Sequence, residues 1–383
     1  MVPFAKPGAS DGYGVMGQAA ARQALTDAGV DYRLVEQAYV GYVFGDSTCG
    51  QAAVYGLGLT GIPIVNVNNN CSTGSTALFL ARQAVASGAV QCALALGFEQ
   101  MERGALGSKF ADRADPLSRF GEAMGAAQGI DPQSPIAAQY FGGAAREHMR
   151  RFGTRRETFA KIAVKARRHA SRNPLALFRD ELSLEQVLSS PTVFDPMTRL
   201  QCCPPTCGAA AAVVCSSEFA QRHGVSNAVA ILAQSMTTDG ESSFNENDMR
   251  KLVGFDMSQA AARNVYADAG IGPQDVDVVE LHDCFTANEL LTYEALGFVE
   301  EGAGERLVED EDNTYGGRVV MNPSGGLLSK GHPLGATGLA QCAELVWQLR
   351  GQAERRQVEG ARLALQHNLG LGGACVVTLY GIN

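Results

Sequence analysis

The sequence predicts an α/β fold built from two similar halves with an inserted segment between them. Strand-like and helix-like segments alternate in both halves, which is typical of mostly parallel sheets covered by helices. A helix–strand unit occurs twice, and a stretch of different character separates the two copies. The 383 residues, 46% hydrophobic and 19% charged, exceed what one ordinary core requires and fit two packed units.

The duplication is clearest in an alanine-rich helix. The helices predicted at 18–28 and 259–269 begin and end at the same offset, and each is followed by a glycine, a polar linker and a strand. The two strands are predicted at 35–43 and 276–281. An alanine-rich helix can match another by chance, but the shared ending and the shared strand favour duplication.

The second repeated feature is a turn that opens a helix. Cys71–Gly74 in the first half aligns with Gly335–Gly338 in the second, and each follows an asparagine-containing turn. The following helix and closing strand are predicted at 77–85 and 91–97, and at 339–349 and 361–366. Two such halves bring equivalent helix N-termini together across a pseudo-twofold axis. The repeat therefore predicts that Cys71 lies near His332.

These repeats divide the chain into three parts. The first half comprises residues 1–100 plus 201–226, the inserted loop domain residues 101–200, and the second half residues 227–383. The second half opens with a predicted strand at 228–236, whereas the chain starts at the position that matches the end of that strand. We therefore expect the first strand of the first half to be missing, or its start codon to be assigned too late.

Composition excludes several classes of function. A net charge of −9 argues against nucleic acid as the main partner. Ten cysteines in so long and apolar a chain indicate a reducing compartment rather than disulfides. We recognise no signal peptide and no membrane-spanning run. Cys202, Cys203 and Cys207 lack the spacing of a zinc site, so no metal is expected.

Cys71 is the first candidate catalytic residue. It follows a β-branched strand and a turn of three asparagines, and a helix opens at or just after it. Unpaired N–H groups and the helix dipole at such a position favour the thiolate, which is the nucleophilic form. The alternative is a buried structural cysteine at a strand–helix junction.

Three histidines and a second cysteine lie at strand or helix ends of the second half. His332, between a glycine and a proline, could take the proton of Cys71. His282 could donate a hydrogen bond to a developing oxyanion, and Cys284 could shuttle a proton. Gly370, Gly372 and Gly373 could expose backbone N–H groups, a second place for an oxyanion. For each histidine the alternative is a structural residue with satisfied hydrogen bonds.

Helices are predicted in the insertion at 134–152 and 157–172, and they are rich in basic residues. The alternatives are a solvated helical face and an electropositive rim for a phosphorylated ligand. No phosphate-binding glycine motif accompanies them. The basic residues are Arg146, Arg150, Arg151, Arg155, Arg156, Lys161, Lys165, Arg167, Arg168 and Arg172.

Three motifs carry a family resemblance: Asn68–Cys71, the His282–Phe285 tetrad and the run Gly331–Gly338. They resemble the active-site loops of the thiolase superfamily and, within it, the sterol carrier protein X type. Other thiolases have Asn-Glu-x-x in place of the tetrad and Cys-x-Gly in place of the loop at His367 and Asn368. The resemblance covers nearly the whole chain.

The resemblance implies a thiolase fold, in which duplicated βαβαβαββ halves give a five-layer αβαβα arrangement with an inserted loop domain. It implies CoA-dependent cleavage of 3-oxoacyl-CoA through a cysteinyl thioester, with coenzyme A as co-substrate, no tightly bound cofactor, and a homodimer. It also implies a cytoplasmic protein if the chain is bacterial. A eukaryotic chain would be peroxisomal, although no peroxisomal tripeptide ends the sequence.

The resemblance also implies roles for the site residues. Cys71 would be the nucleophile activated by His332, and His282 with His332 would hold the thioester oxygen of the departing enolate. Cys284 would protonate the enolate and then activate the incoming CoA thiol. The backbone N–H groups of Cys71 and Gly370 would face the acyl-enzyme oxygen. His367 is an active-site residue whose role is open, and the Arg146–Arg172 segment is a candidate for CoA phosphate.

Two other functions stay open at this point. A ketoacyl-synthase-like condensing enzyme uses one cysteine and two histidines, which Cys71, His282 and His332 would satisfy. A non-catalytic thiolase-like protein that binds acyl-CoA or lipid is the third possibility. Cys284 discriminates against the synthase, because decarboxylation supplies the carbanion and needs no second thiol.

Overall fold

Two mixed sheets, one in each half of the chain, form the frame of the computed structural model, which describes residues 1–102, 110 and 112–382. The strands of the first sheet are β1 Gln37–Gly41, β2 Ile64–Val67, β3 Cys92–Glu99 and β6 Gly208–Cys215. The insertion contributes a small hairpin of β4 Thr192–Phe194 and β5 Met197–Thr198. The strands of the second sheet are β7 Ala230–Thr237, β8 Val278–Glu280, β9 Val320–Met321, β10 Leu363–Gly370 and β11 Ala374–Gly381.

Helices cover both faces of each sheet. The first half contains α1 Tyr13–Ala28, α2 Cys49–Tyr55, α3 Thr73–Ala86 and α8 Ser217–His223. The insertion contains α4 Ser118–Gln128, α5 Ile136–Phe152, α6 Arg156–Ala170 and α7 Leu184–Leu188. The second half contains α9 Ser242–Asn245, α10 Met249–Leu252, α11 Phe255–Ala269, α12 Thr286–Ala295, α13 Gly304–Glu309 and α14 Thr337–Leu349. The helices predicted for the repeat and for the insertion are thus present, with ends shifted by a few residues.

The two sheets confirm the predicted duplication. Their strand orders are β2-β1-β3-β6 and β7-β11-β10-β8-β9, so β9, β8, β10 and β11 correspond in order to β2, β1, β3 and β6. The closing strands are antiparallel to their neighbours and the others are parallel. The sheets are therefore more mixed than the expected mostly parallel arrangement, because each half closes by antiparallel pairing.

β7 has only a short counterpart in the first half. Residues near the start of the chain run beside β6, where the Val2 N–H donates to the Ala209 carbonyl at 3.0 Å and Ala5 and Cys207 exchange backbone hydrogen bonds. This is the place beside β6 that β7 occupies beside β11. The first sheet has four strands among the described residues, and that its first strand is missing stays a prediction.

Helices α3 and α14 form the middle layer of the fold. Their apolar faces share one core between the sheets, which includes Leu78, Leu339 and Leu345. Their N-termini approach so closely that a Cβ at Gly74 would lie 2.7 Å from the Gly335 carbonyl oxygen. Glycine is needed at this contact because any side chain would meet backbone. The close approach brings the two repeated junctions to one place.

Candidate active site

Cys71 lies in the last turn before α3, where the asparagine turn is tied down by hydroxyl groups. The Ser72 hydroxyl donates to the Asn69 carbonyl at 2.8 Å, and the Thr73 hydroxyl donates to the Asn70 carbonyl at 2.6 Å. Asn70 has a φ of 50°, a left-handed conformation that asparagine tolerates better than most residues. The result is a fixed turn that presents the thiol of the half-buried residue Cys71 just before the helix.

His282 and His332 meet the Cys71 thiol. The sulfur and one nitrogen of each ring all lie within 4.8 Å of one another. The two imidazole rings are nearly perpendicular, with centroids 5.0 Å apart. The structure thus brings together the nucleophile candidate from the first half and two histidines from the second, as the repeat predicts for His332.

The protonation states differ from the expectation for Cys71. Burial raises the pKa of its thiol to about 12, and the Glu99 carboxylate adds to the rise. Burial also lowers the pKa of His332 to about 3 and that of His282 well below its ordinary value. The expected preference for thiolate is therefore wrong for the resting site, because desolvation outweighs the helix terminus. At neutral pH the site holds a thiol and two neutral imidazoles.

Hydrogen bonds from its own loop and from the first half of the chain hold His332 in place. Its backbone N–H donates to Thr206 Oγ1 at 3.1 Å, and its Nδ1 lies 2.7 Å from Thr337 Oγ1. The Gly335 N–H, three residues on, donates to the Glu99 carboxylate at 3.0 Å. Nε2 of His332 is buried and has no hydrogen-bond partner in the described part of the chain. It is the ring nitrogen left available to Cys71.

His282 is held through its ring nitrogen Nδ1. Its Nδ1 lies 2.9 Å from the Asn368 side-chain nitrogen, and the same amide nitrogen donates to the Cys71 carbonyl at 3.2 Å. The Asn368 oxygen accepts from the Ser75 hydroxyl at 2.8 Å. Asn368 therefore connects the nucleophile turn with the His282 loop. The sequence pattern did not single out Asn368, because the preceding residue, His367, is the type that carries acid–base chemistry.

His367 lies outside this cluster. Its Nε2 lies 2.9 Å from Ser258 Oγ, and its Nδ1 accepts from the His282 backbone N–H at 3.4 Å. Because side chains alternate along strand β10, His367 and Asn368 point to opposite faces of the strand. His367 thus contacts the backbone of a site residue rather than Cys71, and its predicted place among the catalytic groups lacks support from the geometry.

Cys284 is a second buried thiol beside the cluster. Burial, together with the thiols of Cys203 and Cys71, raises its pKa well above the ordinary value. The Cys203 N–H donates to the Cys284 carbonyl at 2.9 Å, so the two cysteines are opposite neighbours in a short antiparallel contact. Cys284 is therefore a thiol that can hold a proton until a stronger base forms nearby.

Asp283 links the tetrad to the turn that precedes His332. Its carboxylate accepts from the Leu327 N–H at 2.7 Å, at the start of the short π-helical turn Gly326–Lys330. A Cβ on Gly326 would lie 2.1 Å from this carboxylate, so glycine permits the contact. The two catalytic loops of the second half are thereby held in a fixed relation.

Gly370 lies against the nucleophile turn. A Cβ there would be 2.3 Å from the Asn69 carbonyl oxygen and 2.8 Å from Ser72 Oγ. The Asn70 side chain donates to the Leu371 carbonyl at 3.0 Å, which closes the contact from the other side. The glycine loop is thus next to Cys71, where its predicted oxyanion role requires it to be, and that role stays a prediction.

The basic residues of the insertion have partners within the protein. Acidic side chains pair with Arg150 and Arg151 (Glu147), Arg155 (Glu305 and Glu309), Arg156 (Asp195), Lys161 (Glu309), Lys165 (Glu289) and Arg168 (Glu311). The other three lie over aromatic rings: Arg146 over Phe194, Arg167 over Phe178 and Arg172 over Tyr315. These contacts favour the solvated helical face over a free cationic rim for CoA phosphate.

Cys71, His282 and His332 are also residue types that bind zinc. A metal would need the lone pair of Nε2 of His282, whose hydrogen would then have to sit on Nδ1. Nδ1 faces the Asn368 amide nitrogen, which is itself a donor. The hydrogen bonding therefore opposes a metal at this cluster and favours an anionic oxygen.

Two family descriptions match the chain. "Thiolase, N-terminal domain" matches residues 9–218, and "Thiolase C-terminal domain-like" matches residues 239–379. The chain belongs to the thiolase family. Among the described residues, no helix has the length and apolar character needed to cross a membrane.

Three known proteins are similar to this chain over nearly all of its length. Sterol carrier protein 2 of Oryctolagus cuniculus is 59% identical over 99% of this chain and 70% of its own length. Non-specific lipid-transfer protein-like 2 of Caenorhabditis elegans is 47% identical over 99% of this chain and 94% of its own length. Acetyl-CoA acetyltransferase of Methanothermobacter thermautotrophicus is 38% identical over 93% of this chain and 91% of its own length. These relatives confirm the resemblance to the sterol carrier protein type of thiolase.

Solved structures agree on the fold. The Ltp2-ChsH2(DUF35) aldolase has a TM-score of 0.83 at 23% identity, covering 99% of this chain and 95% of its own. Human mitochondrial 3-ketoacyl-CoA thiolase has a TM-score of 0.73 at 18% identity, covering 99% and 96%. The predicted thiolase fold is confirmed.

Proposed function

We propose that the protein is a 3-oxoacyl-CoA thiolase that cleaves its substrate through a thioester on Cys71. The observation that carries the proposal is the meeting of the Cys71 thiol with two neutral imidazoles, His282 and His332, beside the second thiol of Cys284. Thiolysis needs a nucleophile, a base, an oxyanion site and a second acid–base group. The four side chains supply one group for each requirement.

In the first half-reaction Cys71 attacks the 3-keto carbon while its proton passes to Nε2 of His332. This requires the lone pair of His332 on Nε2 and its hydrogen on Nδ1. Thr337 fits this tautomer, since its hydroxyl lies 3.0 Å from the Pro333 carbonyl and can donate there while accepting from Nδ1. A neutral imidazole is needed because a protonated ring has no lone pair to offer.

Cleavage of the C2–C3 bond then leaves the acyl group on Cys71 and an acetyl-CoA or propanoyl-CoA enolate. The thioester oxygen of the enolate would sit against His282 and His332, and Cys284 would protonate its carbon. The Cys284 thiolate next takes the proton of the incoming CoA thiol, which attacks the acyl-enzyme. Release of the shortened acyl-CoA returns the proton from His332 to Cys71.

The substrates that we propose carry medium-length or branched acyl chains, including 2-methyl-branched or sterol side-chain groups. The crevice beside the glycine loop is lined by apolar side chains such as Phe120, Leu252, Met257 and Leu371, but in this structure it is too narrow to admit a water molecule, so it would have to widen to take such a chain. Such substrates would place the protein in β-oxidation of fatty acids or sterols.

The proposed enzyme is a homodimer. Strand β2 is at the edge of the first sheet and its Val65 is 44% exposed. Among the described residues no strand pairs with its outer side, where the Gln51 side chain donates to the Ile64 carbonyl at 3.4 Å. Edges of this kind pair readily with another strand. Pairing of β2 with its counterpart in a second copy would cover both edges.

A thiolysis assay tests the function. Purified protein is given CoA and 3-oxoacyl-CoAs with straight, 2-methyl-branched or steroidal chains, and loss of substrate is followed together with the products. Without CoA, mass spectrometry should find one acyl group on the peptide that contains Cys71. Absence of cleavage on every substrate would reject the proposal.

The condensing and binding alternatives give different results in the same assay. A ketoacyl-synthase-like enzyme would release CO₂ from malonyl-CoA and would tolerate loss of the Cys284 thiol. A lipid-binding protein, as the names of two relatives suggest for those proteins, would bind acyl-CoA without forming the thioester. The buried Cys284 thiol favours thiolysis over both alternatives.

A further inference from the structure

Asn368 is the one side chain that contacts both the nucleophile turn and the His282 imidazole within hydrogen-bonding distance, as far as the structure describes the chain. Its amide nitrogen lies 3.2 Å from the Cys71 carbonyl oxygen and 2.9 Å from His282 Nδ1. A carbonyl oxygen only accepts hydrogen bonds, so the atom facing it is the NH₂ group. The Ser75 hydroxyl lies 2.8 Å from the other amide atom and accepts from the Gln366 side-chain N–H at 2.8 Å, which leaves its own hydrogen to donate to Asn368 Oδ1.

This orientation determines where the hydrogen of His282 lies. An NH₂ group offers only donors, so Nδ1 of His282 must accept, and the hydrogen of the neutral ring must be on Nε2. Asn368 is fully buried, which excludes water as a competing partner for its two hydrogens. His282 therefore presents an N–H to the site, whereas the proposed base His332 must present a lone pair.

We propose that Asn368 is a positioning residue that fixes His282 as the neutral hydrogen-bond donor of the enolate site. The two neighbouring imidazoles then have opposite tautomers and cannot exchange roles. Through its second hydrogen Asn368 also binds the carbonyl of Cys71. One side chain therefore fixes the position of the donor, His282, relative to the nucleophile, Cys71. This assignment rests on the proposed function for its role, but the tautomer itself does not.

The tautomer is measured directly on the resting protein. With ¹⁵N-labelled histidine, a ring nitrogen that carries a hydrogen resonates well apart from one that carries a lone pair, and only six histidines are present. The His282 signals are those that disappear in His282→Gln. We expect Nε2 to carry the hydrogen at neutral pH, and a hydrogen on Nδ1 would overturn the proposal.

Two variants of Asn368 test the cause. In Asn368→Asp the carboxylate offers only acceptors, so His282 should acquire a hydrogen on Nδ1; an unchanged spectrum would overturn the assignment. In Asn368→Ala the donor loses its orientation, and kcat should fall by about 10²- to 10³-fold, the scale of one oxyanion donor, with a smaller change in KM. A fall of less than about threefold would contradict the positioning role.

Ser75→Ala is the matched control. It removes the hydrogen bond to the Asn368 oxygen but leaves the amide hydrogens on His282 and Cys71, so we expect a loss of less than about tenfold and an unchanged His282 spectrum. A loss equal to that of Asn368→Ala would indicate packing rather than tautomer control. If the wild type shows the expected tautomer but no thiolysis, the proposed function fails and the tautomer assignment stands.

Discussion

The two repeated junctions use the same backbone for different tasks. In the first half Cys71, two residues before α3, carries the proposed nucleophile. Its counterpart in the second half is Gly335, where a Cβ would lie 2.4 Å from the Phe98 carbonyl oxygen. The second junction thus has no side chain at this position and can approach the first, and its proposed catalytic group, His332, lies three residues earlier. Duplication provides the proximity, and the departure from symmetry provides the chemistry.

Position at a helix start does not by itself activate a thiol. Cys71 sits where the dipole of α3 should favour thiolate, yet burial and Glu99 raise its pKa to about 12. Activation therefore has to come from the second half, through a base that is neutral because it is buried as well. Neither half is competent without the other.

Loss of the nucleophile is the strongest test of this asymmetry. Cys71→Ala should reduce thiolysis to the background rate and remove the acyl-enzyme from the mass spectrum, because the thiol that forms the proposed thioester is gone. Cys342→Ala is the matched control: it removes a buried cysteine from α14, the helix of the other half. The rate should stay within a few-fold of wild type. Thiolysis by Cys71→Ala at the wild-type rate would show that the nucleophile is elsewhere.

Loss of the second thiol should be the next largest effect. Cys284→Ser keeps the size of the side chain but replaces the thiol with a much weaker acid, so turnover should fall by about 10²- to 10⁴-fold. Acylation of Cys71 should suffer less than the transfer to CoA. Cys203→Ser, which changes the opposite neighbour of Cys284, is the control and should lose far less. Equal losses in both variants would indicate damage to the short contact rather than to acid–base chemistry.

Sequence reasoning singled out the candidate site residues that lie in short local motifs. Cys71, His282, Cys284 and His332 each stand at a strand or helix end, and the repeat alone predicted that Cys71 and His332 meet. Asn368 escaped because its role depends on which face of β10 is turned to the site. The register of β10 with its neighbouring strands determines which face is turned to the site. The residues around Asn368 do not by themselves reveal that register.

Electrostatic expectations failed for a related reason. The pKa of Cys71 depends on how completely the two halves bury it, and the charge of the α5 and α6 surface depends on distant acidic partners. Glu305, Glu309 and Glu311 neutralise arginines that lie more than a hundred residues away in sequence. Charge counted along one segment therefore overstated the free positive surface.

A stability comparison tests how tightly the two junctions are packed. A Cβ at Gly338 would lie 2.3 Å from the Ser75 N and 2.6 Å from Asn368 Oδ1, whereas one at Gly14 in α1 meets nothing within 4 Å. Gly338→Ala should reduce the free energy of unfolding by about 1–3 kcal/mol through overpacking. Gly14→Ala should raise it by about 0.4–1 kcal/mol through the unfolded state. Denaturant unfolding measures both, and equal changes would contradict the close approach of the halves.

The smallest effect is expected from pH, and it tests the neutral imidazoles. Burial lowers the pKa of His332 to about 3 and that of His282 well below its ordinary value. A base with a lowered pKa keeps its lone pair until the pH falls to that lower value. An ordinary histidine would lose about tenfold in rate for each pH unit below about 6.5.

The measurement is the single-turnover rate of Cys71 acylation without CoA, so that ionisation of the CoA thiol does not enter. Between pH 8 and pH 5.5 this rate should change by less than about threefold, provided that the fold is intact by circular dichroism at each pH. An acid limb with a midpoint near 6.5 would show that His332 titrates as an exposed residue does. Activation would then require a solvent-accessible base, and the two halves would not bury the site as the structure has them.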